Sequence, residues 1–152
     1  MIKIDMGCGK CKREGSIGFD CQALEGVDVV GDANERLPFD DNYADHIYAY
    51  DFLEHINNDK RIHIMSEIWR ILKPGGILES FTPSTDGRGA FQDPTHYSFW
   101  NINSFLYYTH DECRRLYSIV PKFEILELWN TEMNQMQICH VVAVLKAIKE
   151  NV

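Results

Sequence analysis

What the chain lacks narrows the field first. No apolar run approaches the roughly 20 residues that span a bilayer, and Met1-Ile2-Lys3-Ile4-Asp5 has no long hydrophobic region of the kind a signal peptide carries. A cytoplasmic protein with no membrane partner is the expectation. Basic residues are also in deficit: 15 Lys and Arg against 23 Asp and Glu give a net charge of −8. Such a chain repels a phosphate backbone unless a basic patch is segregated, and Lys10-Lys12-Arg13 and Arg114-Arg115 are too small for one, so nucleic acid is not expected as a partner. Repeats, low-complexity tracts and Pro/Gly/Ser linkers are missing too. The 152 residues therefore read as one domain, 1–152.

Cysteine is sparse and irregular. Cys8, Cys11, Cys21, Cys113 and Cys139 form an odd, unevenly spaced set that fits reduced thiols rather than a disulfide framework. Cys8-x-x-Cys11 is half of a zinc knuckle, but the second Cys or His pair is missing, so no metal site is expected.

What is present is a core's worth of apolar residues, 45% of the chain, arranged as short runs. Residues 2–6, 17–20, 27–30, 46–50 and 76–82 read as strands. Ile62, Met65, Ile68, Trp69 and Leu72 recur at helical spacing before Lys73-Pro74-Gly75-Gly76, which marks an amphipathic helix with a firm stop. Strand, helix and strand make a right-handed parallel crossover. Thr109-x-x-Glu112 reads as a capping box opening a second helix that Pro121 closes. Residues 123–129 and 138–145 read as a closing antiparallel hairpin. The expected fold is α/β: a Rossmann-like three-layer sandwich with a mostly parallel sheet and a C-terminal antiparallel hairpin.

The chemistry collects at strand ends. The first strand runs into Asp5-Met6-Gly7-Cys8-Gly9, whose glycines let a backbone approach a ligand closely. Asp20 ends the second strand, where a carboxylate can accept from both hydroxyls of a ribose. Asp32-Ala33 follows the third, where a carboxylate and a backbone N–H can read an adenine edge. Glycine and aspartate after strands are more often ordinary turn residues. Three in order point to one adenosine site.

At this point the residues resemble a known family, the class I S-adenosylmethionine-dependent methyltransferases, in their short type 11 branch. The resemblance spans nearly the whole chain. It rests on Ile4-Asp5-Met6-Gly7-Cys8-Gly9, on Val29-Val30-Gly31-Asp32-Ala33 with Leu37-Pro38-Phe39-Asp40-Asp41-Asn42, on Ala44-Asp45-His46-Ile47-Tyr48-Ala49 with Leu53-Glu54-His55-Ile56, and on residues 67–76. It implies that S-adenosylmethionine is the cofactor. Asp5, Gly7, Cys8 and Gly9 would form its methionine-side loop, Asp20 would hold the ribose, Asp32 and Ala33 the adenine, and Asp51 and Phe52 would flank the sulfonium. The Glu54-His55 pair also matches, with His55 read as structural.

One departure is plain. Only residues 10–15 separate Gly9 from the second strand, so the first helix after the glycine loop is expected to be shortened or missing. That disfavours NAD, whose pyrophosphate leans on that helix N-terminus, and Lys12 stands where a G-x-G-x-x-G fingerprint needs glycine. It also leaves a gap that another subunit of a homo-oligomer or a partner protein could close. Residues 82–108 read as a long acceptor-side loop, rich in aromatic residues. Within it His96 is the candidate catalytic base, because imidazole titrates near working pH, with Asp93 as its orienting carboxylate. Glu79 is explained by an edge or solvent-facing position. The expected function is in-line methyl transfer to a small-molecule or glycan-like acceptor; the competing reading is a weak or inactive cofactor-binding or scaffolding module on the same fold.

Overall fold

A computed structural model describes residues 1–149. One seven-stranded sheet organises them, in the order β3-β2-β1-β4-β5-β7-β6. The strands are β1 (Lys3–Met6), β2 (Ile17–Asp20), β3 (Val29–Val30), β4 (Ala44–Tyr50), β5 (Leu72–Pro83), β6 (Phe123–Asn130) and β7 (His140–Ala147). β1 to β5 are parallel, and β7 inserts antiparallel between β5 and β6, which gives the expected hairpin. The chain leaves β1 toward β2 on one side and returns to β4 on the other. That reversal is a topological switch point, where open α/β sheets bind ligands at the carboxyl ends of their strands.

Alternation along the strands sorts the two faces. Ile4, Met6, Ile47, Ala49, Leu78, Ala143 and Leu145 are all fully or almost fully buried. They share one core with Ile64, Met65, Ile68 and Ile71 of α1 (Arg61–Ile71) and with Phe105 and Tyr108 of α3 (Ile102–Thr109). The opposite face carries Asp5, His46, Tyr48, Tyr50, Glu79, Phe81, His140 and Val142, and of these only Asp5 is buried. No helix lies between β1 and β2, between β2 and β3, or between β3 and β4. The missing first helix was legible in the sequence. With no helix in the first three connections, α1 and α3 supply the helical packing on the apolar face of the sheet.

Polar and aromatic contacts cover the thinner face instead. Arg13 packs its guanidinium 3.9 Å from the Tyr50 ring centroid and 4.8 Å from that of Tyr48, and it reaches Asp5 Oδ1 at 3.1 Å. Glu79 accepts from Tyr50 Oη and from His46 Nε2. β5 is an interior strand, flanked by β4 and β7, so Glu79 is not at an edge: it is held by cross-strand partners.

Between β5 and β6 the expected loop 82–108 is partly regular. β5 extends through Pro83, a short α2 (Gly89–Gln92) follows, and α3 occupies 102–109. The capping box belongs to α3: Asn101 Oδ1 accepts from Ser104 N, and Ser104 Oγ accepts from Asn101 N. Thr109 instead ends that helix, with its hydroxyl turned back to the Phe105 carbonyl, and α4 (Asp111–Leu116) starts without a side-chain cap. The sequence signal at Thr109-x-x-Glu112 is overridden because the preceding helix has already taken Thr109.

α1 also fixes the β3–β4 connection. Arg70 donates to the carbonyls of Leu37 and Phe39 and to Asp41, and it pairs with Glu67 at 2.8 Å; Glu67 in turn accepts from Leu37 N. Burial works against the Glu67 charge, but the hydrogen bonds from Arg70 and Leu37 outweigh it and hold the carboxyl below its usual range. Arg70→Met strands that carboxylate, and urea unfolding should show a loss of about 3 kcal/mol at neutral pH. Because the Glu67 pKa is depressed in the native state, its stabilisation is present above the ordinary value of 4.5 and fades as pH falls through the native value. The penalty should therefore shrink below about pH 4, and a pH-independent penalty would refute the charge argument.

Candidate functional site

β1 ends in Gly7, at φ +64°, in the left-handed region that glycine enters without strain. A Cβ there would come within 2.9 Å of the Phe52 ring, so the turn is both conformationally and sterically restricted to glycine. Gly7 N and Cys8 N both bond to the Phe19 carbonyl, which ties the turn to β2. Asp51, just past β4, also adopts a left-handed φ of +47°. These two turns lie at the switch point and open a cavity of about 290 Å³ between them, at the small end of the range for ligand sites.

Gly7, Phe19, Asp20, Gly31, Asp32, Ala33, Asn34, Asp51, Phe52, His55 and Ile56 line it. Of the expected cofactor residues the cavity gathers Gly7, Asp20, Asp32, Ala33, Asp51 and Phe52. Asp5, Cys8 and Gly9 lie behind it. The Asp5 carboxylate is taken up by the backbone N–H and guanidinium of Arg13. Cys8 is buried, and burial together with Asp5 pushes its thiol pKa up. Gly9 N donates to Asp20 Oδ2 at 2.9 Å, and Gln22 N donates to Asp20 Oδ1, so Asp20 is oriented from both sides with a lone pair spare on each oxygen.

The lining's charge is one-sided. Asp20, Asp32 and Asp51 contribute carboxylates and no Lys or Arg lines the cavity. Lys12 and Arg13, on the connection after β1, are committed elsewhere, to Asp28 and Asp5. Phe19, Ala33, Phe52 and Ile56 supply an apolar slot. A cationic sulfonium ligand with a flat base and a ribose diol fits such a surface; a pyrophosphate does not. Larger clefts beside Tyr107 and beside Trp69 lie away from the switch point and carry none of these features.

The turn after β4 meets the segment after β5 directly. Tyr97 N and Ser98 N both donate to the Glu54 carbonyl, while Ser98 Oγ and Trp100 Nε1 donate to that of Leu53. This clamp sets His96 beside His55, ring centroids 5.1 Å apart. The expected Asp93–His96 pairing takes a different form. His96 Nδ1 donates to the Ala90 carbonyl at 3.1 Å, so the backbone orients the ring, and Asp93 stands 3.7 Å from the free Nε2, beyond hydrogen-bond reach. Asp93 itself accepts from the hydroxyl and N–H of Thr95. Glu54, Asn34, His55 and the polar contact of His140 with Asp51 at 3.6 Å carry parts of the site that strand-end reasoning passed over. The one available signal was a charged pair, Glu54-His55, set between Leu53 and Ile56.

Residues 12–79 match the family model described as Methyltransferase domain. Among curated proteins no match to the sequence is found. Solved structures match along nearly the full chain. A methyltransferase from Methanosarcina mazei superposes at TM-score 0.66 with 17% identity, over 97% of this chain and 92% of its own. A Burkholderia thailandensis 1,6-didemethyltoxoflavin-N1-methyltransferase, with 1,6-didemethyltoxoflavin and S-adenosylhomocysteine bound, superposes at 0.69 with 13% identity, over 97% and 71%. The [4+2]-cyclase SpnF superposes at 0.67 with 17% identity, over 96% and 74%. The sheet order and cavity position define a class I methyltransferase fold. The family match covers residues 12–79, just under half of the chain, and the solved structures extend the likeness in fold over nearly all of it. The matched stretch begins after the glycine loop and ends within β5, so neither Gly7 nor His96 falls inside it.

Glu54 stands out electrostatically. It is 2% exposed, and its carboxylate oxygens have no hydrogen-bond partner. Burial, reinforced by Asp51 and Asp93, raises its pKa to about 8. A carboxyl protonated in the native state up to pH 8 but only to pH 4.5 when unfolded costs stability as pH rises between those values. In EDTA-containing buffer, Glu54→Gln should gain over the parent protein across that window, by about 2–4 kcal/mol at pH 8, and equal it below pH 4. Parallel pH–melting curves would show the raised pKa to be wrong.

Proposed function

We propose that the protein transfers a methyl group from S-adenosylmethionine to a small-molecule or glycan-like acceptor, in a cytoplasmic setting. The observation that carries this reading is the cation-free, carboxylate-lined cavity at the β1/β4 switch point. When bound, S-adenosylmethionine supplies a methyl group on a sulfonium sulfur, which keeps the C–S electron pair as an acceptor lone pair takes the methyl group in line. Asp20 would hold the ribose diol, Asp32 and the Ala33 backbone would meet the adenine, and the Gly7 turn would leave main chain open to the methionine portion. Asp51 would favour the sulfonium through its charge, and Phe52 would exclude water from it. For a hydroxyl or ammonium acceptor, His96 Nε2 receives the proton, and Asp93 offsets the charge that the ring then acquires.

A scaffolding role on the same fold is the second reading. The thinned helical layer favours it, and the cyclase neighbour illustrates that this architecture hosts more than one chemistry. A second copy or a partner protein seated near the shortened β1–β2 connection would restore the missing wall.

Calorimetric titration separates the two. The methyltransferase reading expects micromolar binding of S-adenosylmethionine or S-adenosylhomocysteine and none of NAD. Asp20→Asn should weaken that binding about 10- to 100-fold, the value of a hydrogen bond to a charged group. Silence from both adenosyl ligands, or indifference to Asp20→Asn, would leave the scaffold. Once an acceptor is found, His96→Gln should lower turnover about 100-fold or more while leaving cofactor affinity unchanged.

A further inference from the structure

The clamp between the two turns builds a second cluster, adjoining the cavity but distinct from its adenosine-binding end. Glu54 Oε1 lies 3.9 Å from His55 Nε2. One donor atom each from Glu54, His55 and His96 falls within 4.8 Å of the others. The separations are too long for hydrogen bonds, so the buried carboxylate has no proton donor among these neighbours. Both rings are nonetheless firmly set. His55 Nδ1 donates to the Thr95 carbonyl at 2.9 Å, as His96 Nδ1 does to Ala90. A carbonyl has no proton to give, so the neutral form of each ring carries its hydrogen on Nδ1 and presents a bare Nε2 lone pair. That is how metal-binding imidazoles are held: the far nitrogen is tied to backbone, which fixes tautomer and orientation.

We propose that Glu54, His55 and His96 form a binding site for a divalent first-row transition-metal ion. Ligand atoms about 2.1 Å from a shared ion stand roughly 3–3.5 Å apart, so the site closes with a side-chain adjustment of about 1 Å. His55, whose side chain is 41% exposed, has room to make it. Two imidazoles and a carboxylate suit zinc, cobalt, nickel or ferrous iron and not magnesium or calcium, which prefer all-oxygen shells. Asp93 Oδ2, 3.7 Å from His96 Nε2, is within reach as a further oxygen ligand. An ion here resolves the unpartnered Glu54 and leaves coordination positions toward the cavity that His55 lines. On the methyltransferase reading, which this last step rests on, those positions hold an oxygen of the acceptor. In the loaded protein His96 is then a ligand, and its role as base is confined to the metal-free form.

The test is Co²⁺ titration of chelator-stripped protein without cofactor, followed by visible absorption and metal analysis. One Co²⁺ per chain is expected, with ligand-field bands and no thiolate charge-transfer band in the near ultraviolet. Glu54→Gln, His55→Gln and His96→Gln should each weaken binding tenfold or more, whereas Cys11→Ser should not. Circular dichroism checks that the variants fold; His55→Gln, at an exposed ring, keeps the test decisive if the buried substitutions do not. Absence of binding, a thiolate band lost in Cys11→Ser, or affinity unchanged in His55→Gln would each overturn the site. Adenosyl-ligand titration of the same stripped protein separates the readings, since ion binding without cofactor binding removes only the methyltransferase proposal, and the reverse removes only the metal site.

Discussion

The backbone carbonyl of Glu54 receives two N–H groups from the segment that follows β5, and the arrangement of the site depends on that pairing. Without it the connection to α2 and α3 would be an ordinary excursion from the sheet edge. With it, and with Ser98 and Trp100 fastened to the Leu53 carbonyl, a remote stretch of chain becomes a wall over the turn after β4. Trp100 is fully buried beneath this wall, so the clamp is backed by a large apolar side chain as well as by hydrogen bonds. His96 comes to stand beside His55, a cavity-lining residue, through these contacts rather than through its own position in the chain.

The parts of this structure written locally in the sequence were the parts that could be read. Ile17–Asp20 is bounded by Ser16 and Cys21 and emerges at those residues, because Ile17 and Phe19 alternate with Gly18 and Asp20 between turn-forming neighbours. The helix before Lys73-Pro74-Gly75-Gly76 likewise follows from its apolar spacing and its breakers. Glycine and aspartate at successive strand ends located the cavity because parallel strands deliver their ends to one edge. What depended on distant partners was not legible. The box at Asn101 and Ser104 was hidden by an equally good signal at Thr109, and only the packing of Phe105 and Tyr108 into the core decides between them. Asp5 resembled a cofactor ligand, yet Arg13, eight residues on, claims it.

Economy in the first half of the chain has a physical consequence. Three connections without helices leave β1, β4, β5 and β7 with a face that must be made compatible with water by side chains alone. The sequence meets this with amphipathic groups: Tyr48 and Tyr50 beneath the Arg13 guanidinium, Glu79 joined to His46 and Tyr50, and His140 stacked on Phe81 at 4.1 Å. Such rings bury their bodies and keep polar tips wet, so neighbouring side chains cover the sheet without a second helical layer. Burial lowers the pKa of both His46 and His140. Near neutral pH the two rings therefore act as uncharged aromatic surface.

The same economy bears on the ligand. A dinucleotide site needs a helix N-terminus behind its glycine loop to face a pyrophosphate, and here residues 9–16 cross the sheet without forming one. Removing that helix removes a positive partial charge from the cavity and leaves Asp20, Asp32 and Asp51 unopposed. The shortening that at first sight weakens the site thus sharpens its electrostatic preference for a cationic ligand. Glu54 takes the argument one step further: buried, and facing the charges of Asp51 and Asp93, its carboxyl is held protonated to about pH 8 unless a cation stands close to it. Two imidazoles with bare Nε2 atoms beside it are the groups that would hold such an ion.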